Sequence, residues 1–188
     1  YRPFVGGAEI AVEQIAKRLS LAFDFFIMTA RQSRALPRRE TGTDGMIVRL
    51  GFGTSLDKWL FPALALWHCV WHVRRSAPAI LFAVDISHAS LGAVLVKWWF
   101  PEVPFVFNIQ YGESEDRLRR GRVGFLRRAF RVVLNHADYV TAISSYLEDM
   151  ARANGYCGPI EVLPNGADIH KLKIKSEKRK TTTQNSKI

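Results

Sequence analysis

Residues 139–163, YVTAISSYLEDMARANGYCGPIEVL, decide the fold. Tyr139 to Ile143 is a short apolar run of the kind that forms strands. Ser145, with Glu148 three residues later, reads as a capping box and predicts a helix opening there. Gly155 marks its end, because glycine takes the left-handed turn at a helix C-terminus without a steric penalty. Ile160 to Leu163 is a second apolar run. Strand, helix, strand over so short a span is the crossover unit of a parallel sheet.

Toward the N-terminus the alternation continues. A helix is predicted from about Arg122 to Asn135, with Val123, Leu126, Phe130, Val133 and Leu134 on one face. PFVFNI (104–109) and AVDISH (83–88) read as strands, with a helix from Leu91 to Phe100 between them, stopped by Pro101. A helix is expected from Asp57 to about Arg75, where Pro62 is tolerable in the first turns. MIVRL (46–50) and FFIMT (25–29) are strand runs, and residues 31–45 are rich in turn formers and read as a loop. Ala8, Ala11, Val12, Ile15, Ala16 and Leu19 recur at helical spacing in an opening amphipathic helix. The strands are short and apolar on both sides, as when helices cover both faces of a sheet. The fold class is α/β: an open, Rossmann-like, doubly wound parallel sheet, whose ligands bind beyond the carboxyl ends of the strands.

The chain has 188 residues, 48% of them hydrophobic, enough for one domain with a core. Its net charge of +10 is unevenly spread. Residues 171–188 hold seven Lys/Arg and one acid, a net of +6, which leaves +4 for residues 1–170. The boundaries follow: a Rossmann-like domain over 1–170 and a basic tail over 171–188 whose composition predicts disorder. The modest charge of the folded part argues against nucleic acid as the partner. Cys69 and Cys157 stand far apart without metal-ligand spacing, and both read as small core residues. No metal is implied. WLFPALALWHCVWHV (59–73) is too short to span a bilayer and reads as a buried or interfacial helix.

Gly6 and Gly7 directly precede the first helix. Bare backbone at a helix N-terminus suits a phosphate or a sugar hydroxyl, since the free N–H groups and the helix dipole both favour negative charge. A tight turn would explain the same pair. The spacing is neither GxGxxG nor that of a P-loop.

Five motifs in order, PFVGGAE (3–9), VDISHA (84–89), PFVFNIQYGE (104–113), HADYVTAIS (136–144) and VLPNGAD (162–168), resemble the N-terminal half of the family 4 glycosyltransferases. The resemblance covers about residues 3–175. It implies a retaining, nucleotide-sugar-dependent transferase of GT-B architecture, with two Rossmann-like domains facing a cleft. On it, Gly6 and Gly7 match the loop lying against the donor diphosphate and sugar. Gln110 falls where many members carry a histidine near the transferred sugar; it can hydrogen-bond a hydroxyl but not titrate. His88 matches a histidine at a strand end, Ser144 begins a helix facing the cleft, and Asn165 and Gly166 match the approach to the interdomain hinge. Glu9 is placed with the acceptor-side cleft residues, although a carboxylate in the first helical turn is also favoured by the dipole alone. A buried structural role is equally open to His88. No residue is assigned to the chemical step, and the co-substrate is a nucleotide-diphosphate sugar with no metal.

The resemblance also sets expectations about what lies outside the sequence. The family's first strand, central in the sheet, belongs ahead of Tyr1, and the donor-side domain belongs after the tail. The sequence therefore reads as an acceptor-side domain, a fragment inactive alone, with the C-terminal domain or a partner chain supplying the rest. The acceptor is a lipid-linked or other saccharide. The seven arginines Arg117, Arg119, Arg120, Arg122, Arg127, Arg128 and Arg131 read either as a solvated helix face or as a contact with an anionic membrane. Trp98 and Trp99 could join such a membrane contact, but are expected at a helix end packed in the core. The expected location is cytoplasmic, peripheral on the inner membrane face. The rival function is a non-catalytic Rossmann-like module that grips a membrane or a partner chain.

Overall fold

A computed structural model describes residues 6–73, 79–110 and 125–166. Arg117, Arg119, Arg120, Arg122, the start expected for the fourth helix, and the tail at 171–188 lie outside them. In chain order the elements are α1 (Gly7–Leu19), β1 (Phe26–Ala30), β2 (Arg39–Gly42), β3 (Gly45–Leu50), α2 (Asp57–Val73), β4 (Leu81–Val84), α3 (His88–Trp99), β5 (Phe105–Ile109), α4 (Phe125–His136), β6 (Tyr139–Ala142), α5 (Ser145–Ala153) and β7 (Ile160–Val162).

β4-β5-β6-β7 form a four-stranded parallel sheet in chain order. Its core is built from Phe105, Phe107 and Ile109 of β5, Val140 and Ala142 of β6, Phe130, Val133 and Leu134 of α4, and Leu147 and Met150 of α5. The buried faces of α4 and α5 fall at three- and four-residue spacing, so each helix lays one stripe on the sheet. Asp138 locks the opposite edge: its Oδ2 accepts the Phe105 N–H at 2.7 Å and the Lys97 ammonium at 2.8 Å.

A second sheet has the order β1-β3-β2. β1 and β3 are parallel, but β2 is antiparallel to β3, closing a hairpin from Gly42 opposite Gly45. The sequence reading had a loop here, because RETG has no apolar alternation. Gly45 at φ 106° lets the chain reverse, and a side chain there would strike the Phe25 carbonyl. The strand expected over 83–88 ends at Val84, since Asp85 turns out of the extended region at φ 55°. Ser87 then caps α3, accepting from the Ala89 and Ser90 N–H groups, and Ser90 reciprocates toward the Ser87 N–H. That exchange draws His88 into the helix, three residues ahead of the expected start.

The two sheets are bridged by helices. α2 packs on β1 and on α3, and α3 packs on β4. Met28 of β1 and Leu81 of β4 join one cluster with Cys69, Val96, Phe100 and Val103. β1 and β4 thus approach one another through shared side-chain packing and not through backbone pairing. Among the described residues neither strand has a partner on that side.

Three smaller expectations are corrected. Cys69 is buried as predicted, but Cys157 is exposed in the turn after α5. Trp98 and Trp99 do not pack in the core and are largely solvent-facing. The N-cap of α5 is Ser144, not Ser145, and its side chain makes no capping bond.

Candidate active site at the strand tips

β4, β5, β6 and β7 are parallel, so their carboxyl ends share one edge. Five of the predicted residues follow neighbouring strands there: His88 after β4, Gln110 after β5, Ser144 after β6, and Asn165 with Gly166 after β7. α1 carries Gly6 and Gly7 at its N-terminus and leads through residues 20–25 into β1.

The loops after β4 and β5 are joined directly. Asp85 Oδ1 accepts the backbone N–H of Gln110 at 2.8 Å, and the Asp85 N–H donates to the Asn108 carbonyl at 2.9 Å. This fixes where Gln110 leaves β5. Below it, buried Asn108 donates through Nδ2 to Thr141 Oγ1 at 2.7 Å, tying β5 to β6. His88, the first residue of α3, is half-buried and meets the Trp59 ring edge-on, with centroids 4.7 Å apart and planes at 78°. The Ser144 carbonyl accepts from the Leu147 and Glu148 N–H groups, whereas its side chain makes no capping bond to the first turn of α5. Asn165 and Gly166 are exposed.

Gly6 and Gly7 are exposed. A Cβ at Gly7 would meet nothing within 4 Å, so the backbone there is open to approach. At Gly6 a Cβ would meet only the Glu9 side chain. Glu9 Oε2 accepts the Gly6 N–H at 3.0 Å. Its carboxylate therefore covers part of the helix N-terminus, which is the dipole role weighed for it in the sequence.

Beyond β3 the chain wraps a buried carboxylate. Asp57 Oδ2 accepts the N–H of Gly53 at 2.6 Å and of Thr54 at 3.0 Å, and Oδ1 accepts the Thr54 hydroxyl at 3.2 Å. Burial works to raise this carboxyl, but the N–H groups of Phe52, Thr54 and Gly53 outweigh it, and its pKa lies below the ordinary value. Gly51, at φ 116°, passes so close that any side chain would strike the carboxylate. Beside this loop a groove is lined by Arg38, Arg49, Phe52, Trp67 and His68. Arg49 is buried in it, held by Glu40 at 2.6 Å and the Pro37 carbonyl at 3.2 Å.

The structure thus gathers His88, Gln110, Ser144 and the 165–166 turn at the tips of adjacent strands; it does not join Gly6 and Gly7 to them by any contact among the described residues. Sequence reasoning missed Asp85 and Asp57 as organisers of these loops. Asp85 has a recognisable signature, an acid directly after an apolar strand run, where Asp tolerates a left-handed turn. Asp57 has one too, an acid three residues after Thr54 at a helix start.

A parallel α/β sheet with polar groups past its strand tips defines a Rossmann-like domain of the GT-B type. The family model described as Glycosyltransferase Family 4 matches residues 5–171, and the chain belongs to that family. It is a glycosyltransferase domain. Among solved structures, sucrose-phosphate synthase from Thermosynechococcus elongatus is similar over 90% of this chain and 90% of its own, with a TM-score of 0.58 and 15% identity. That likeness bears on the fold alone. Comparison with curated proteins returns no match.

Proposed function

We propose that the chain is the acceptor-side domain of a retaining transferase. It moves a sugar from a nucleotide-diphosphate donor to a lipid-linked or other saccharide acceptor. The observation that carries this reading is the strand-tip row of His88, Gln110 and Ser144, to which the family resemblance adds the uncovered backbone at Gly7. Amides left without side chains at a helix N-terminus suit a diphosphate. Gln110 supplies a neutral donor and acceptor to a hydroxyl of the transferred sugar, and His88, Glu9 and Ser144 line the acceptor wall. Asn165 and Gly166 lead toward a second Rossmann-like domain, which holds most of the donor and stabilises the departing diphosphate electrostatically. In this reading the isolated chain does not turn over, no metal takes part, and the protein works at the cytoplasmic face of a membrane.

The test is a transfer assay with radiolabelled UDP-, GDP- and ADP-sugars and a polyprenyl-phosphate or oligosaccharide acceptor, run with and without an added donor-side domain. Product of retained anomeric configuration that requires both domains supports the reading. Inverted product, or turnover by this chain alone, overturns the corresponding part of it. A second reading, a non-catalytic module seated on a membrane or partner chain, is favoured by one observation: large apolar side chains exposed on α2 and α3.

A further inference from the structure

All five tryptophans of the chain are more than half exposed: Trp59 at 63%, Trp67 at 69%, Trp71 at 52%, Trp98 at 77% and Trp99 at 59%. They sit on two helices that run side by side in the same direction. Gly92 of α3 lies against Pro62 and Ala65 of α2, and Val96, one turn on, shares a cluster with Cys69, one turn on from Ala65. Trp71 and the Trp98–Trp99 pair therefore lie at the same end of the helix pair.

α2 already buries an inner face through Phe61, Ala65 and Cys69. Its outer face should be polar. Instead Leu56, Leu60, Trp67 and Trp71 recur there at four- and seven-residue spacing, all exposed. Exposed apolar patches of this kind mark interaction sites, and tryptophan, apolar in body with a polar N–H, is enriched where a bilayer meets water.

Charge says which occupant fits. α4 packs against α3, and its outer face carries exposed Arg128 and Arg131 beside exposed Phe125 and Val132. Together α2, α3 and α4 hold Lys58, Arg127, Arg128 and Arg131 against one acid, Asp57, which is buried; the charge of Lys97 is taken up by its ion pair with Asp138. Glu102, just past α3, is an exposed acid near the Trp98 end. An aromatic face bordered by basic groups is complementary to an anionic lipid surface. No helix among the described residues is long and apolar enough to cross a membrane, so the contact is with the surface.

We infer that the outer face of α2 and the C-terminal end of α3 dock on an anionic bilayer, with Trp67, Trp71, Trp98 and Trp99 in the headgroup region and Arg128 and Arg131 over the lipid phosphates. This deepens the membrane reading above by naming the face. It is separable from glycosyl transfer, because the measurement involves no chemistry.

The experiment is tryptophan fluorescence of the full chain with vesicles of phosphatidylcholine alone and with 30 mol% phosphatidylglycerol. With the anionic vesicles the emission shifts to the blue, and lipids brominated near the headgroup end of the acyl chain quench it. Residues 171–188 contain no tryptophan, so quenching reports on the helices and not on the basic tail. The quadruple variant W67S/W71S/W98S/W99S is expected to bind anionic vesicles at least tenfold more weakly in sedimentation. Quenching of wild type needs no variant to fold. Absence of quenching overturns the proposal. So does unchanged vesicle affinity in a folded quadruple variant, or burial of the tryptophans in a dimer or against a protein partner in place of lipid.

Discussion

Asp85 accepts the backbone N–H of Gln110 at 2.8 Å while itself held in the left-handed region at φ 55°. A strained residue at the end of one strand thereby sets the exit of the next strand's tip residue. Strain of this kind costs on the order of 1 kcal/mol and persists where the surroundings repay it. Replacing Asp85 by Ala keeps the strain and removes the acceptor, and should destabilise the domain by roughly 1–3 kcal/mol. Replacing it by Gly removes both and should cost less. Urea unfolding of the two variants, with amide exchange at Gln110, measures the difference; equal losses would show that the left-handed backbone at this position carries no strain.

Gly7 separates binding from folding. A Cβ there meets nothing within 4 Å, and Ala is a better helix former than Gly. Gly7→Ala should therefore change stability by less than about 1 kcal/mol, upward if at all. If the proposed diphosphate contact is right, Gly7→Val lowers transfer by the two-domain enzyme at least tenfold with little change in Tm. Full activity of the valine variant would remove the contact from the proposal.

Asp57 makes stability depend on pH. Its carboxyl binds its proton more weakly in the folded chain than in the unfolded one. The contribution is therefore complete above about pH 4, the unfolded carboxyl's value, and is lost as pH falls through the lower folded value. Asp57→Ala should cost about 2–3 kcal/mol at neutral pH, because it orphans the N–H groups that converge on the carboxylate. It should also flatten the acid limb of a plot of unfolding free energy against pH. A variant that keeps the full slope would place the proton uptake elsewhere.

The two partners of Asp138 are unequal. Its carboxyl is pushed up by partial burial and pulled down further by Lys97 and the Phe105 N–H, for a net lowering. Asp138 is half-open to solvent, while Lys97 is mostly buried and also donates to the Pro101 and Val103 carbonyls at 2.7 and 3.0 Å, so Lys97→Met should cost about 1 kcal/mol. Asp138→Ala also strips the buried Phe105 N–H of its acceptor and should cost about 1–3 kcal/mol. Thermal unfolding of both single variants tests that order.

The cysteines should react in sequence. Burial pushes the Cys69 thiol up to about 11, whereas Cys157 is exposed. A thiol reagent at pH 8 should modify Cys157 in the native protein and Cys69 only on unfolding. Mass spectrometry of the labelled peptides decides it, and fast native labelling of Cys69 would contradict the packing of α2 on α3.

Much of the sheet was legible because its strands are apolar runs punctuated by Pro and Gly. PFVFNI, YVTAI and IEVL each fall within one residue of the observed strand. β2 was not legible, since RETG pairs through its backbone and hides no apolar face. The start of α3 was misplaced because Ser87 and Ser90 cap reciprocally, a polar exchange that apolar periodicity does not signal. At the site, residue types and their order were readable at His88, Gln110 and Ser144. Their alignment at one edge needed the parallel registers, and the Asp85 bond to Gln110 spans 25 residues.

The sequence by itself determined the alternation of strand and helix, and with it the parallel sheet and the edge where polar residues collect. Apolar periodicity and capping are local properties, written within a turn or two of chain. Only the tertiary structure decided what remained uncovered. The tryptophans of α2 and α3 have the composition of core residues and lie outside the core, because each helix buries one face and the small residues Gly92 and Ala65 already fill the contact between them. The split between β1 and β4 was settled the same way. Strand pairing depends on which backbones stand about 4.8 Å apart, and no stretch of sequence states that distance.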